Sequence, residues 1–158
     1  MLTIHAILAG GDLTVKKKST MLIALFFMLF SAFPAQAADK NPEELVREAK
    51  TAIKELSVDE VKKIVDDKKE TVVLLDVRDS NELEQGIIPG AINISRGQLE
   101  FKVRMILPDR NAKIIVYCGL DLRGPLATKT LNDLGYKNAV NMSGGLKAWR
   151  EAGYPLIK

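Results

Sequence analysis

Short, mostly apolar runs alternate with amphipathic segments along the second two thirds of the chain. Apolar runs of four or five residues predict strands buried on both faces, as in a parallel sheet covered by helices. The predicted strands span 71–75, 91–94, 114–117 and 139–142. The predicted helices that follow them span 80–84, 98–107, 125–134 and 144–152. This pattern indicates an α/β fold with a central, mainly parallel sheet and helices on both faces.

Two helix starts precede the first predicted strand. Asn41 and Glu44 have the spacing of a capping residue and its acidic partner, with Pro42 in the first turn. Ser57 and Glu60 have the spacing of a second capping box. We therefore expect an N-terminal helix within residues 39–56 and a separate domain over 57–158. The apolar stripe of the first helix would comprise Leu45, Ala49, Ile53 and Leu56.

The first 38 residues have the features of a secretory signal peptide. Three lysines at 16–18 precede an apolar run at 21–30, and Ala-Gln-Ala at 35–37 is a small-residue cleavage site. The run is shorter than the roughly 20 apolar residues that a membrane span needs. We predict cleavage after Ala37 or one residue later. The mature protein would be exported, with the periplasm as the expected compartment, and would have no stable membrane insertion.

Residues 1–14 lie in front of this signal, where signal peptides seldom carry extra residues. We interpret them as an N-terminal extension that arises from a wrongly assigned start codon. A GTG codon at Val15 would begin the chain with Met-Lys-Lys-Lys. Any other codon at position 15 removes this interpretation.

Composition limits what the remaining part of the chain can do. About 120 residues remain after the predicted leader, with 20 basic and 19 acidic side chains, enough for one domain with one core. Scattered, nearly balanced charge gives no reason to propose nucleic acid as a partner. The one histidine, His5, lies in the leader. Its position excludes Cys-His and Ser-His-Asp catalysis and the usual zinc sites, so we expect no metal and no cofactor. The oligomeric state stays open.

Cys118 is the single cysteine of the chain, and it heads a short loop between a predicted strand and a predicted helix. Backbone N–H groups of the loop and the start of the helix stabilise a thiolate at such a position. A buried structural cysteine is the alternative, but an unpaired thiol is a liability in an oxidising compartment. Asp76 ends the neighbouring strand at the same carboxyl edge of the sheet, where ligands of such folds bind.

Three motifs follow one another in an order and spacing that resemble the rhodanese family. They are Asp76-Val77-Arg78 with Ile88-Pro89-Gly90-Ala91, Tyr117-Cys118 with Arg123, and Ser143-Gly144-Gly145-Leu146 with Gly153-Tyr154-Pro155. The resemblance covers about residues 55–158. It implies a sulfurtransferase in which the cysteine carries a persulfide sulfur from a small donor such as thiosulfate to a thiol or to cyanide.

The resemblance also implies residue roles. Cys118 would be the catalytic residue, and Asp76 and Arg78 would shape the neighbouring loop. Successive N–H groups of the cysteine loop can form an anion-binding nest. The expected substrate-binding residues are Gly119, Leu120, Asp121, Leu122 and Arg123.

Two positions depart from the family pattern. Asp121 occupies the place of a glycine, and Ile87 that of a histidine. A carboxylate at the mouth of the loop would repel an anionic donor, which favours a second hypothesis: a low-turnover persulfide carrier or interaction module. A third hypothesis is a phosphatase or arsenate reductase of the related fold. The six residues from Cys118 to Arg123 argue against it, because the loop of those enzymes is one residue longer.

Overall fold

Five parallel strands form one sheet in the computed structural model, which describes residues 39–158. The order across the sheet is β1-β5-β4-β2-β3, so β4, which precedes Cys118, is central. This confirms the predicted α/β class and its parallel sheet. The strands are β1 (Glu55–Leu56), β2 (Val72–Asp76), β3 (Ile92–Asn93), β4 (Lys113–Tyr117) and β5 (Ala139–Met142).

Helices cover the sheet, and the first two begin at the predicted caps. The Asn41 side chain accepts a hydrogen bond from the Glu44 N–H at 2.8 Å. Ser57 and Glu60 form both hydrogen bonds of a capping box. The helices are α1 (Pro42–Ala52), α2 (Val58–Asp67), α3 (Leu99–Ile106), α4 (Arg123–Asp133) and α5 (Gly145–Glu151), with 3₁₀ turns at Ser80–Gln85 and Arg96–Gln98.

The two faces of the sheet bury two separate apolar layers. Leu75 and Val116 pack into one layer with residues of α3 and α4. Their strand neighbours Leu74 and Ile115 point to the opposite face and pack with residues of α2 and α5, among them Trp149. Alternate side chains of a strand face opposite sides, so a continuous apolar run fills both layers. Each fully buried large apolar side chain contributes about 1.5–3 kcal/mol to folding.

The N-terminal helix is shorter than the sequence pattern predicts. It ends at Ala52, and the chain then extends into β1, which pairs in parallel with Asn141–Met142. Leu56 packs into the layer beneath α2 and α5, not along α1. The N–H of Asn141 donates to the Lys54 carbonyl at 2.9 Å. Pairing with β1 thus satisfies the edge of β5, which would otherwise be left open.

The predicted signal peptide, its cleavage site and the N-terminal extension all lie outside the described residues. Between residues 39 and 158, the structure has no helix with both the length and the apolar character that a membrane crossing requires.

Candidate active site

Cys118 lies at the carboxyl end of β4, directly before the loop that leads into α4. The residue is only 1% exposed, and part of its surroundings is the apolar layer under α3 and α4. It also lines an open pocket of about 360 Å³. The walls come from the cysteine loop, the 3₁₀ turn at Ser80–Gln85 and one face of α5.

The start of α5 holds the cysteine loop through two backbone hydrogen bonds. The N–H of Leu146 donates to the Cys118 carbonyl at 2.7 Å, and the N–H of Lys147 donates to the Gly119 carbonyl at 3.1 Å. Gly145 has a φ of +58°, and a Cβ atom there would lie 2.5 Å from the Cys118 carbonyl oxygen. This close approach requires a glycine, which explains its place in the C-terminal motif.

The loop leaves backbone donors available beside the thiol. Among residues 39–158, no protein group accepts a hydrogen bond from the N–H groups of 119–122. Asp121 supports the loop turn with a left-handed backbone, at a φ of +63°, a conformation that aspartate tolerates better than most residues. Unpaired N–H groups at the start of a helix are suited to bind an anion.

Asp121 itself does not line the pocket. Its carboxylate accepts hydrogen bonds from Lys50 Nζ at 2.5 Å and from Asn141 Nδ2 at 2.8 Å. Burial acts to lower the pKa of Lys50, but the hydrogen bond and charge of Asp121 and the charge of Glu55 outweigh it and raise that pKa. The carboxylate is therefore directed toward α1 and is neutralised there. Its assignment to substrate binding stays a prediction.

Arg123 lies on the pocket wall and is paired with Glu82. Its Nη1 donates to Oε2 of Glu82 at 2.6 Å, and its Nη2 donates to Oε1 at 2.8 Å. The hydrogen bond from Arg123 is the main cause that lowers the pKa of Glu82 to about 2. The pair thus stays ionised at neutral pH and contributes little net charge to the pocket.

Asp76 and Arg78 form a buried ion pair behind the pocket, each about 1% exposed. Nη2 of Arg78 lies 2.6 Å from Oδ2 of Asp76 and also donates to the Gly86 carbonyl at 2.9 Å. Nη1 donates to the carbonyl of Glu82 at 3.0 Å. The pair therefore ties the end of β2 to the turn that carries Glu82.

Several residues around the loop were not singled out in the sequence. Lys147 and Arg150 place two cations on the α5 side of the pocket. Asn141 had a detectable signal, because a polar side chain interrupts an otherwise apolar strand. No sequence signal pointed to Lys50, because Lys50 lies 71 positions from Asp121 along the chain. Within residues 39–158, no three His, Cys, Asp or Glu side chains are grouped so as to hold a metal ion.

Comparisons with known proteins bear on this site. Residues 57–152 match the family model described as a Rhodanese-like domain. A "Sulfurtransferase" of Allochromatium vinosum is 32% identical over 88 residues, which cover 56% of this chain and 80% of the relative. "Thiosulfate sulfurtransferase GlpE" of Pseudoalteromonas translucida is 32% identical over 101 residues, which cover 64% and 92%.

One similar solved structure comes from Rhodopseudomonas palustris and is described as a protein of unknown function and possible tyrosine phosphatase. It has a TM-score of 0.71 and 32% sequence identity, and the match covers 79% of this chain and 100% of that one.

Proposed function

Because the chain belongs to the rhodanese-like family, we propose that it moves a sulfane sulfur from a donor such as thiosulfate to a thiophilic acceptor through a persulfide on Cys118. The observation that carries the proposal is the position of the only thiol. Cys118 lines an open pocket, next to a helix start and to loop N–H groups without protein acceptors among residues 39–158.

The chemistry proceeds in two displacements. The Cys118 thiolate attacks the sulfane sulfur of thiosulfate, the S–S bond of the donor breaks, and sulfite leaves with the electron pair. The persulfide anion that results is stabilised by loop N–H groups and by the dipole of α4. A thiolate or cyanide then attacks the outer sulfur, the persulfide S–S bond breaks, and the Cys118 thiolate is regenerated. An ionised thiol needs no general base, so the reaction does not depend on a histidine.

The charges around the pocket favour an anionic donor. Four carboxylates near the loop share two cations: Glu82 and Asp79 contact Arg123, and Asp121 and Glu55 contact Lys50. Lys147 and Arg150 add positive charge to the wall. Among the side chains that line the pocket itself, three are cations and only Glu82 is a carboxylate. A cleft lined by an excess of cations attracts anions and raises their local concentration.

A second candidate is a persulfide carrier or interaction module that works with a protein partner. Leu120 is 65% exposed and Leu122 55% exposed, both on the loop that surrounds the thiol. Apolar side chains exposed beside a reactive group are suited to contact an apolar surface on another protein. Such a module would accept sulfur but turn over slowly with cyanide.

The thiosulfate–cyanide assay, combined with intact-protein mass spectrometry, tests the proposal. We expect the parent protein to form thiocyanate and to gain 32 Da on Cys118 after incubation with thiosulfate alone, since sulfane sulfur adds about that mass. Cys118→Ser should lose both signals and keep its far-UV circular dichroism spectrum.

Thiocyanate formation by the serine variant would refute the Cys118 mechanism. A parent protein that gains 32 Da but forms little thiocyanate would instead support the carrier. Hydrolysis of a phosphate ester without any gain of mass would support the phosphatase hypothesis.

A further inference from the structure

Helix α1 lies outside the matched family segment and yet reaches the cysteine loop. The segment begins at residue 57, whereas α1 ends at Ala52 and packs against α4. Lys50, in the last turn of α1, places its ammonium 2.5 Å from Oδ2 of Asp121. The contact therefore joins an N-terminal element to the loop that heads the proposed active site.

The contact belongs to a small polar network. Asn141 of β5 donates to Oδ1 of Asp121 at 2.8 Å and to Oε1 of Glu55 at 2.7 Å. Lys50 also lies 3.6 Å from Oε1 of Glu55. The side chain of Asp121 is 12% exposed, and that of Lys50 is 34% exposed. The carboxylate is thus largely withdrawn from water and depends on its two donors.

Removal of the Lys50 ammonium should have a predictable effect on the Asp121 carboxylate. A largely buried carboxylate that loses its cation is costly, and it either moves toward water or leaves a negative charge uncompensated. Asp121 is only three positions from Cys118. An uncompensated negative charge on the same loop opposes the formation of a second anion on the sulfur.

We propose that Lys50 is a positioning residue for the cysteine loop. It holds the Asp121 carboxylate on the α1 side, so that the loop N–H groups stabilise the thiolate and the negative charge of Asp121 does not oppose them. The proposal deepens the proposed function, because it assigns to α1 a part in the same site. Its main readout does not require sulfur transfer.

A double-mutant cycle with Lys50→Met and Asp121→Asn tests the proposal. The readout is the pH midpoint of Cys118 alkylation by iodoacetamide, which needs neither donor nor acceptor. Lys50→Met should raise the midpoint by about one pH unit, the effect of one nearby charge at intermediate dielectric. In the Asp121→Asn background, Lys50→Met should not shift the midpoint any further, so the double variant and Asp121→Asn should have the same midpoint. Lys50→Arg keeps the charge and should shift it less than Lys50→Met does.

Arg47→Met is the matched control, because Arg47 is on the same helix, its side chain is 70% exposed, and it faces Glu44 of α1. It should not move the midpoint. Arg123, Glu82, Lys147 and Arg150 also carry charge near the thiol, and none of them changes in these variants.

Two results would overturn the proposal. One is an unchanged midpoint in folded Lys50→Met. The other is an equal shift from Lys50→Met with and without Asp121, which would assign the effect to helix packing or to the Lys50 charge acting directly on the thiolate. If Lys50→Met alone does not fold, Lys50→Gln provides the same comparison. If the parent protein shows no thiosulfate turnover, the proposed function is refuted, but the alkylation measurements still test the role of Lys50.

Discussion

Among single residues, Arg78 contributes to the candidate site through its buried ion pair with Asp76. The guanidinium donates to the Asp76 carboxylate and to the carbonyls of Glu82 and Gly86. Asp76 in turn accepts the backbone N–H of Arg78 at 3.0 Å. A buried ion pair is stable only when its remaining donors and acceptors are satisfied. This one meets that condition by organising the turn that carries the partner of Arg123.

Arg78→Met should destabilise the protein strongly, because it leaves the Asp76 carboxylate buried without a cation. The expected loss in the free energy of unfolding is about 3–5 kcal/mol, measured by urea denaturation. The double variant with Asp76→Asn should recover part of that loss. Arg104→Met, on the exposed face of α3, is the control and should stay within about 0.5 kcal/mol of the parent. A loss below about 1 kcal/mol in Arg78→Met would show that the pair does not support the turn.

At the level of elements, the candidate active site depends on where three helices meet the cysteine loop. Helix α4 begins at Arg123, α5 donates two N–H groups to loop carbonyls, and α1 supplies Lys50. The approach of α4 is close as well, because a Cβ atom on Gly124 would lie 2.4 Å from Oδ1 of Asn141. Glycine is required at these contacts because backbone or a buried polar atom occupies the space of a side chain.

Gly145→Ala should impair the loop more than the fold. The new Cβ atom would lie 2.5 Å from the Cys118 carbonyl oxygen, at a φ of +58° that alanine disfavours. We expect kcat/KM for thiosulfate to fall at least about tenfold and stability to fall by about 1–3 kcal/mol. Gly97→Ala is the control, since a Cβ atom at Gly97 meets nothing within 4 Å. Parent-like kcat/KM in Gly145→Ala would show that the loop does not need this contact.

For the whole molecule, we propose that residues 1–38 direct export and are then removed. The support is the order of lysines, apolar run and Ala-Gln-Ala at 35–37. An exported thiol enzyme would work in an oxidising compartment, where its single cysteine has no internal partner for a disulfide.

Expression of the full chain in a Gram-negative host tests the export proposal. The protein recovered from the periplasmic fraction should begin at Ala38 or Asp39, as determined by mass spectrometry. A large side chain at the cleavage site, as in Ala37→Phe, should leave a longer, membrane-associated precursor. Recovery of the uncleaved parent chain from the cytosolic fraction would contradict export.

The sequence by itself determined four of the five strands, most helix bounds to within two residues, both predicted N-terminal caps and the place of Cys118. Capping involves residues three positions apart, as in Ser57 and Glu60, and the alternation of strand side chains is equally local. The family motifs then ordered these elements. The one strand missed, Glu55–Leu56, has two residues and no pattern of its own, because pairing with β5 makes it a strand.

Only the tertiary structure decided which charges face the pocket. In the sequence, Asp121 is a carboxylate near the thiol and Arg123 is a cation beside it. In the folded chain, Lys50 from 71 positions away neutralises Asp121, and Glu82 from 41 positions away neutralises Arg123. Electrostatic effects depend on burial and on distances of a few ångströms. Both are set when distant segments of the chain pack together, not by spacing along the chain.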